Sequence, residues 1–145
     1  MAELYHVGLT VKNLDRSVAF YRDIAGMTET WRYDVTGKEH GMLTNNPNAT
    51  LKGVHLTAGP ITLQLLEYQQ GGGATLDLHH NNIGSPHFCF YIADVDAKYE
   101  ELKSRGDVII TSGIVEIAPK VRSFYTEDPD GVPVEFLEME HSPSA

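Results

Sequence analysis

Two stretches of the chain share one layout. His6-Val-Gly-Leu-Thr-Val-Lys-Asn-Leu-Asp15 and His87-Phe-Cys-Phe-Tyr-Ile-Ala-Asp-Val-Asp96 each run from a histidine through a short strand-like segment to a polar cap, an apolar residue and an aspartate. The offset is 81 residues at both the histidine and the aspartate. A fixed offset over ten residues indicates an internal duplication, so the chain must build one structural unit twice.

A helix is predicted after each of these strands. Asn13 and Asp94 can accept from the unpaired N–H groups of a first helical turn. Leu14, Val18, Tyr21 and Ala25 follow helical spacing and Gly26 is a stop. Val95, Tyr99 and Leu102 share a face of the second helix, which Gly106 ends. Strands are then predicted over about 27–33, 51–58 and 61–68, and again over about 108–112, 121–127 and 132–139. Gly59-Pro60 and Asp128-Pro-Asp-Gly131 are turn signals between them. The expected fold is α+β, with two tandem βαβββ modules forming a cupped mixed β-sheet around a metal site. Module one spans about 1–70, module two about 84–140, and residues 69–85 link them within a single domain. Residues 34–50 are expected to be a long polar loop, and the tail after about 140 to be loose.

Composition narrows the function. Hydrophobic residues make up 41% of the 145, enough for a real core. The net charge of −9, with no basic cluster, speaks against nucleic acid and against an anionic membrane surface. A small-molecule partner is compatible with that charge, since a metal recruits anions locally. The single cysteine, Cys89, permits no intrachain disulfide and no thiolate zinc site. The chain enters a strand pattern by about residue 4 without a basic and apolar leader, and no apolar run approaches a membrane span, so a cytoplasmic location is expected.

Strand side chains alternate between two faces. Val7, Leu9 and Val11 oppose His6, Gly8 and Thr10. Val54 and Leu56 oppose His55 and Thr57. Leu63 and Leu65 oppose Thr62, Gln64 and Leu66. Phe88, Phe90 and Ile92 oppose His87, Cys89 and Tyr91. Phe124 opposes Ser123 and Tyr125, and Val134 and Phe136 oppose Glu135 and Leu137. One face is apolar and packs under the helices. The other gathers His6, His55, Gln64, His87, Tyr125 and Glu135, which suits a ligand-holding surface better than a solvent-facing one. Two imidazoles and a carboxylate, from His6, His87 and Glu135, form a set that leaves coordination positions open, and the Gln64 carbonyl can join them. Nitrogen and oxygen donors without thiolate suit one divalent ion among Fe, Mn, Co, Ni, Zn or Mg.

These residues resemble the vicinal oxygen chelate superfamily, which holds glyoxalase I, bleomycin-resistance proteins, extradiol dioxygenases, fosfomycin-resistance enzymes and methylmalonyl-CoA epimerase. The resemblance runs over nearly the whole chain. It rests on the His6 strand with Leu14-Asp-Arg-Ser-Val-Ala-Phe-Tyr21, on Leu63-Gln-Leu-Leu-Glu-Tyr68, on Pro86-His-Phe-Cys-Phe-Tyr-Ile92, and on Phe124 to Leu137 with its Asp-Pro-Asp-Gly turn. It implies metal ligands at His6, Gln64, His87 and Glu135. Gln64 stands where bacterial glyoxalase I usually has Glu, and a His/Gln/His/Glu set looks more like the epimerase. The epimerase has an acidic base where this chain offers His55. Tyr125, ten residues before Glu135, stands where the dioxygenases and some fosfomycin-resistance enzymes have a tyrosine.

The resemblance implies lyase or isomerase chemistry on a small substrate with vicinal oxygens, with Glu135, His55 and Tyr125 as catalytic candidates and Gln64 as either ligand or hydrogen-bonding residue. The alternatives are an Fe(II) extradiol-type dioxygenase and a metal-free, bleomycin-resistance-like binding protein. A homodimer is implied, isologous by default. His79 and His80 read as solvated linker residues and Cys89 as a packing residue. Lys120 and Arg122 could hold an anion, although alternation points Arg122 away from the ligand face. Asp94–Asp96 and Glu138–Glu140 read as caps and solvated surface.

Overall fold

A computed structural model describes residues 1–140 of the chain. The tail expected to be loose, after residue 140, lies outside the described residues. The chain divides into two compact units, one ending at Thr75 and the next beginning at Leu76.

The first unit contains β1 (Val7–Thr10), α1 (Leu14–Ala19), β2 (Thr28–Val35), α2 (Lys38–Leu43), β3 (Thr50–Ala58) and β4 (Ile61–Gln70). Its sheet has the order β1-β4-β3-β2, with β1 parallel to β4 and the other pairs antiparallel. Helix α1 begins where Asn13 Oδ1 accepts from the Arg16 N–H, and it continues into a π-helical turn at Phe20–Ile24. Gly26, at φ 77°, ends the helical stretch in a conformation that costs other residues strain. Leu14, Val18, Tyr21 and Ile24 are buried, as are Val54, Leu56, Leu63 and Leu65 on the inward side of the sheet.

The second unit repeats the plan with β5 (Phe88–Tyr91), α3 (Val95–Arg105), β6 (Ile109–Ile110), β7 (Val115–Ala118), β8 (Val121–Glu127) and β9 (Pro133–Met139). Its sheet runs β5-β9-β8-β6, β7 also pairs with β8, and β5 is parallel to β9. Asp94 caps α3 and Gly106 closes it at φ 71°. Val95, Leu102, Phe124, Val134 and Phe136 form the buried side, and Tyr99 meets Phe124 edge-on at 5.1 Å. Asp128 Oδ1 shapes the turn before β9 by accepting from the Asp130 and Val132 N–H groups at 2.8 and 2.9 Å.

One device recurs. The carboxylate of Glu67 accepts from the Leu14 N–H at 2.6 Å, and that of Glu138 accepts from the Val95 N–H at 2.7 Å. Each last strand thus supplies an anion to the first turn of its own helix, where the helix dipole favours negative charge. The reading of Glu138 as a cap was correct in kind, and Glu67 is its counterpart in the first unit.

Two segments differ from expectation. The polar loop expected over 34–50 contains the end of β2 and helix α2. Its Lys-Glu-His-Gly-Met-Leu sequence carries no strong apolar period, and the chain turns back tightly after it: a Cβ at Gly41 would sit 2.7 Å from the Asn46 carbonyl oxygen. Strand β7 was absent from the prediction. It is four residues long, exposed throughout and held by pairing with β8, so burial leaves little trace of it in the sequence.

Candidate functional site

The first unit brings His6, His55 and Gln64 together, and adds two aromatic side chains. His55 and Gln64 are direct partners across β3 and β4, and Gln64 is also the partner of Gly8 on β1. The rings of His6 and His55 lie 5.6 Å apart. His55 is 6% exposed, and burial together with the neighbouring His6 holds its imidazole below the usual histidine range. It is therefore neutral near pH 7.

Trp31 and Tyr33 reach this group through an irregularity. The β2–β3 register runs Glu29 to Leu56 and then Trp31 to His55, leaving Thr30 as an extra residue. A single inserted residue moves every later side chain to the other face of a strand. Without it Trp31 would stand opposite Val54, on the buried side. With it, Trp31 packs edge-on against His55 at 5.2 Å, and Tyr33 lies at 5.6 Å from His55 and 4.6 Å from Trp31. Alternation along Thr28–Val35 could have paired Trp31 with Tyr33, but the bulge that decides their face carries no glycine or proline signal.

The Gln64 amide is held on its nitrogen side. Nε2 donates to the Tyr33 hydroxyl at 2.7 Å and lies 3.3 Å from His55 Nε2. Oε1 lies over Gly8, 3.5 Å from where a Cβ would stand. His6 precedes Gly8 by two residues on the same strand side. Its Nδ1 is buried without a hydrogen-bond partner among the described residues.

The second unit brings His87, Tyr125, Glu135 and Cys89 together. Glu135 is the direct partner of Tyr125 on β8 and of Cys89 on β5. It is 9% exposed. The Tyr125 hydroxyl donates to Glu135 Oε2 at 3.0 Å, and burial followed by that carboxylate pushes the phenol up to about 12, so it remains a donor. The Cys89 thiol is also pushed up to about 12, by burial first and then by the Glu135 charge. It stays protonated and so is no ready nucleophile, but the residue is exposed rather than the packing residue expected.

His80 is an exposed linker residue, as expected, but it also sets its ring 5.0 Å from His87 and 4.9 Å from Tyr125. It lies outside the repeated pattern and outside any strand, so neither the offset nor alternation could reveal it. His79 bonds to Asn81 and Asp77 nearby in the chain. Lys120 pairs with Glu140, and Arg122 with Asp96 on α3, so both cations meet carboxylates of the second unit.

The donor set divides by unit. His6 and Gln64 stand in the first, His87 and Glu135 in the second, and among the described residues no group of three or more His, Cys, Asp or Glu side chains forms a metal cluster. The candidate residues have donor chemistry that suits a hard or borderline divalent ion: a buried imidazole nitrogen without a partner among the described residues and an amide oxygen in the first unit, and a buried carboxylate in the second. Among the described residues no helix is long and apolar enough to cross a membrane.

Comparison with known proteins gives concordant results. Residues 3–136 match the family model described as the Glyoxalase/Bleomycin resistance protein/Dioxygenase superfamily. A lactoylglutathione lyase of Haemophilus influenzae is 28% identical over 98% of this chain and 96% of its own. A 2-epi-5-epi-valiolone epimerase of Actinomyces sp is 30% identical over 72% of this chain and 60% of its own. Among solved structures, a glyoxalase family protein of Bacillus cereus superposes with a TM-score of 0.83 at 17% identity, covering 96% of this chain and 95% of that one. A fosfomycin resistance protein, FosX, of Listeria monocytogenes, solved with Mn(II) and sulfate, gives 0.62 at 22% identity, covering 95% and 93%.

Proposed function

The chain belongs to the glyoxalase/bleomycin resistance protein/dioxygenase superfamily, and we propose that it is a divalent-metal-dependent enzyme of lyase or isomerase type acting on a small substrate with two neighbouring oxygens. The observation that carries this reading is Glu135, a nearly buried carboxylate with one phenolic hydrogen bond. A buried anion with so few partners is costly unless a cation or a transferable proton completes its environment. The proposed donors to the ion are His6 and Gln64 in the first unit and His87 and Glu135 in the second. When bound, the ion would supply Lewis-acid stabilisation of negative charge developing on the substrate oxygens.

The chain's own groups do the rest. A base takes the proton from the carbon beside the substrate carbonyl and returns it to the neighbouring carbon or to the opposite side; that base is His55, or Glu135 once its carboxylate detaches from the ion. Tyr125 keeps its proton and holds Glu135 Oε2, which orients the carboxylate. His55 stands beside Gln64, and burial favours its neutral ring, the form a base needs. The names of the lyase and epimerase relatives favour proton-transfer chemistry over ring cleavage. An isologous homodimer accompanies this reading, and sedimentation measures it.

Elemental analysis of protein purified without added metal, then reconstituted with each candidate ion, is the decisive experiment. It is paired with two activity readouts: formation of S-lactoylglutathione, and deuterium uptake at the carbon beside the carbonyl of small hydroxyketones. Bound metal with either activity supports the proposal. Iron with catechol cleavage would replace it by the dioxygenase reading. Failure to bind any ion would leave a metal-free binding protein.

A further inference from the structure

Gln64 is an unusual candidate donor because an amide has one oxygen and one N–H₂ group at nearly the same place. If the group turns over, it presents hydrogens where an ion needs a lone pair. Something must therefore fix its orientation.

The first unit contains such a fixture. Tyr33 stands opposite Gly53 in the β2–β3 register, and its ring lies across that glycine. A Cβ at residue 53 would come within 2.3 Å of Tyr33 Cζ and 2.6 Å of its hydroxyl oxygen. The absent side chain is thus the space that the tyrosine occupies. Trp31 flanks the ring at 4.6 Å. The hydroxyl, carried over Gly53, reaches Gln64 Nε2 at 2.7 Å. His55 Nε2 lies 3.3 Å from the same amide nitrogen. With the nitrogen side committed, Oε1 is left over Gly8, on the strand of His6.

We propose that Tyr33, seated over Gly53, is a positioning residue that fixes the Gln64 amide so that Oε1 is offered to the metal ion. This rests on the reading of Gln64 as a metal donor. Tyr33 does not touch substrate or metal. It acts through Gln64, and Gly53 is required because it makes room for the ring.

The test uses Co(II) alone as probe, with affinity from calorimetry and ligand geometry from its visible absorption. Y33F is expected to weaken Co(II) binding by about tenfold, as loss of a group that orients a ligand commonly does. It is also expected to change the visible spectrum. G53A, which displaces the ring, should give the same change, and Y33F/G53A no further loss. Q64E separates orientation from general support. A carboxylate offers oxygen whichever way it turns, so Y33F should cost little in the Q64E background. An equal loss in both backgrounds would overturn the proposal, as would an unchanged affinity and spectrum in Y33F when Q64A loses affinity. If Q64A and H6A both bind Co(II) as the parent protein does, the donor assignment fails, and this inference with it.

Discussion

Tyr125 donates its hydroxyl to Glu135 Oε2 from the position directly opposite it across β8 and β9, at 3.0 Å. In the first unit His55 stands directly opposite Gln64 in the same way. The duplicated strands thus place a polar group beside each candidate donor, a phenol in one and an imidazole in the other. This relationship motivates the first prediction. Y125F should lower kcat by about ten- to a hundredfold with a smaller change in KM, because the carboxylate loses the group that orients it. Thermal unfolding should shift modestly, consistent with about 1 kcal/mol for one hydrogen bond. A KM effect with unchanged kcat would point instead to substrate binding.

Metal should stabilise the folded chain. A divalent ion at a hundredfold excess over its Kd adds about 2.7 kcal/mol by mass action. The expected result is a rise in Tm on adding the cognate ion, reversed by chelator. E135Q should abolish that rise while leaving the metal-free protein at least as stable, since it removes a buried charge with few partners. A metal-dependent rise that survives E135Q would remove this residue from the donor set.

Cys89 should be slow to alkylate. Its thiol is pushed up to about 12 by burial and by Glu135, so almost no thiolate exists at pH 8. Iodoacetamide labelling should lag well behind a free cysteine. It should accelerate in E135Q, which removes the charge. Rapid labelling of the unaltered protein would refute the placement of that thiol against the carboxylate.

His55 links protonation to stability. Its folded-state value is lowered, first by burial and then by His6, so the folded chain favours the neutral ring. The unfolded histidine titrates near 6.5, where more protons bind the unfolded state. The contribution is complete above that pH and is lost as pH falls through the lower folded value. NMR titration of the metal-free protein should give a midpoint below 6.5, and H55Q should flatten the pH dependence of Tm on that side.

The acidic caps are testable in parallel. E67Q and E138Q should each destabilise by about 0.5–2 kcal/mol, the usual range for loss of a helix N-terminal acceptor. Similar losses in both would mark one device used twice. Denaturant unfolding measures each.

Much of the fold could be read from the sequence because it depends on local rules. The repeat at His6 and His87 announced two modules. Asn13, Asp94 and Gly106 marked helix ends whose hydrogen bonds and backbone angles are local. Alternation placed Tyr125 and Glu135 on one side of neighbouring strands, since the side-chain period of a strand is fixed. Helix α2 and strand β7 escaped because neither buries a periodic face.

The candidate site was legible where strand parity carried it and obscure elsewhere. His55 and Gln64 followed from alternation in β3 and β4. Trp31 and Tyr33 did not, because one extra residue at Thr30 sets their face. His80 comes from an irregular segment, where sequence gives no rule for direction. The grip of Tyr33 on Gln64 needed both the bulge and the space over Gly53.

The sequence by itself determined the duplication and the two helices with their caps, and it marked His6, Gln64, His87 and Glu135 as candidate donors, because period and chain-local hydrogen bonds encode them. Tertiary structure alone decided which groups hold those donors: Tyr33 over Gly53 for Gln64, and the hydroxyl of Tyr125 for Glu135. Such contacts depend on strand register and on the volume left by an absent side chain, and neither is written in the order of residues along one strand.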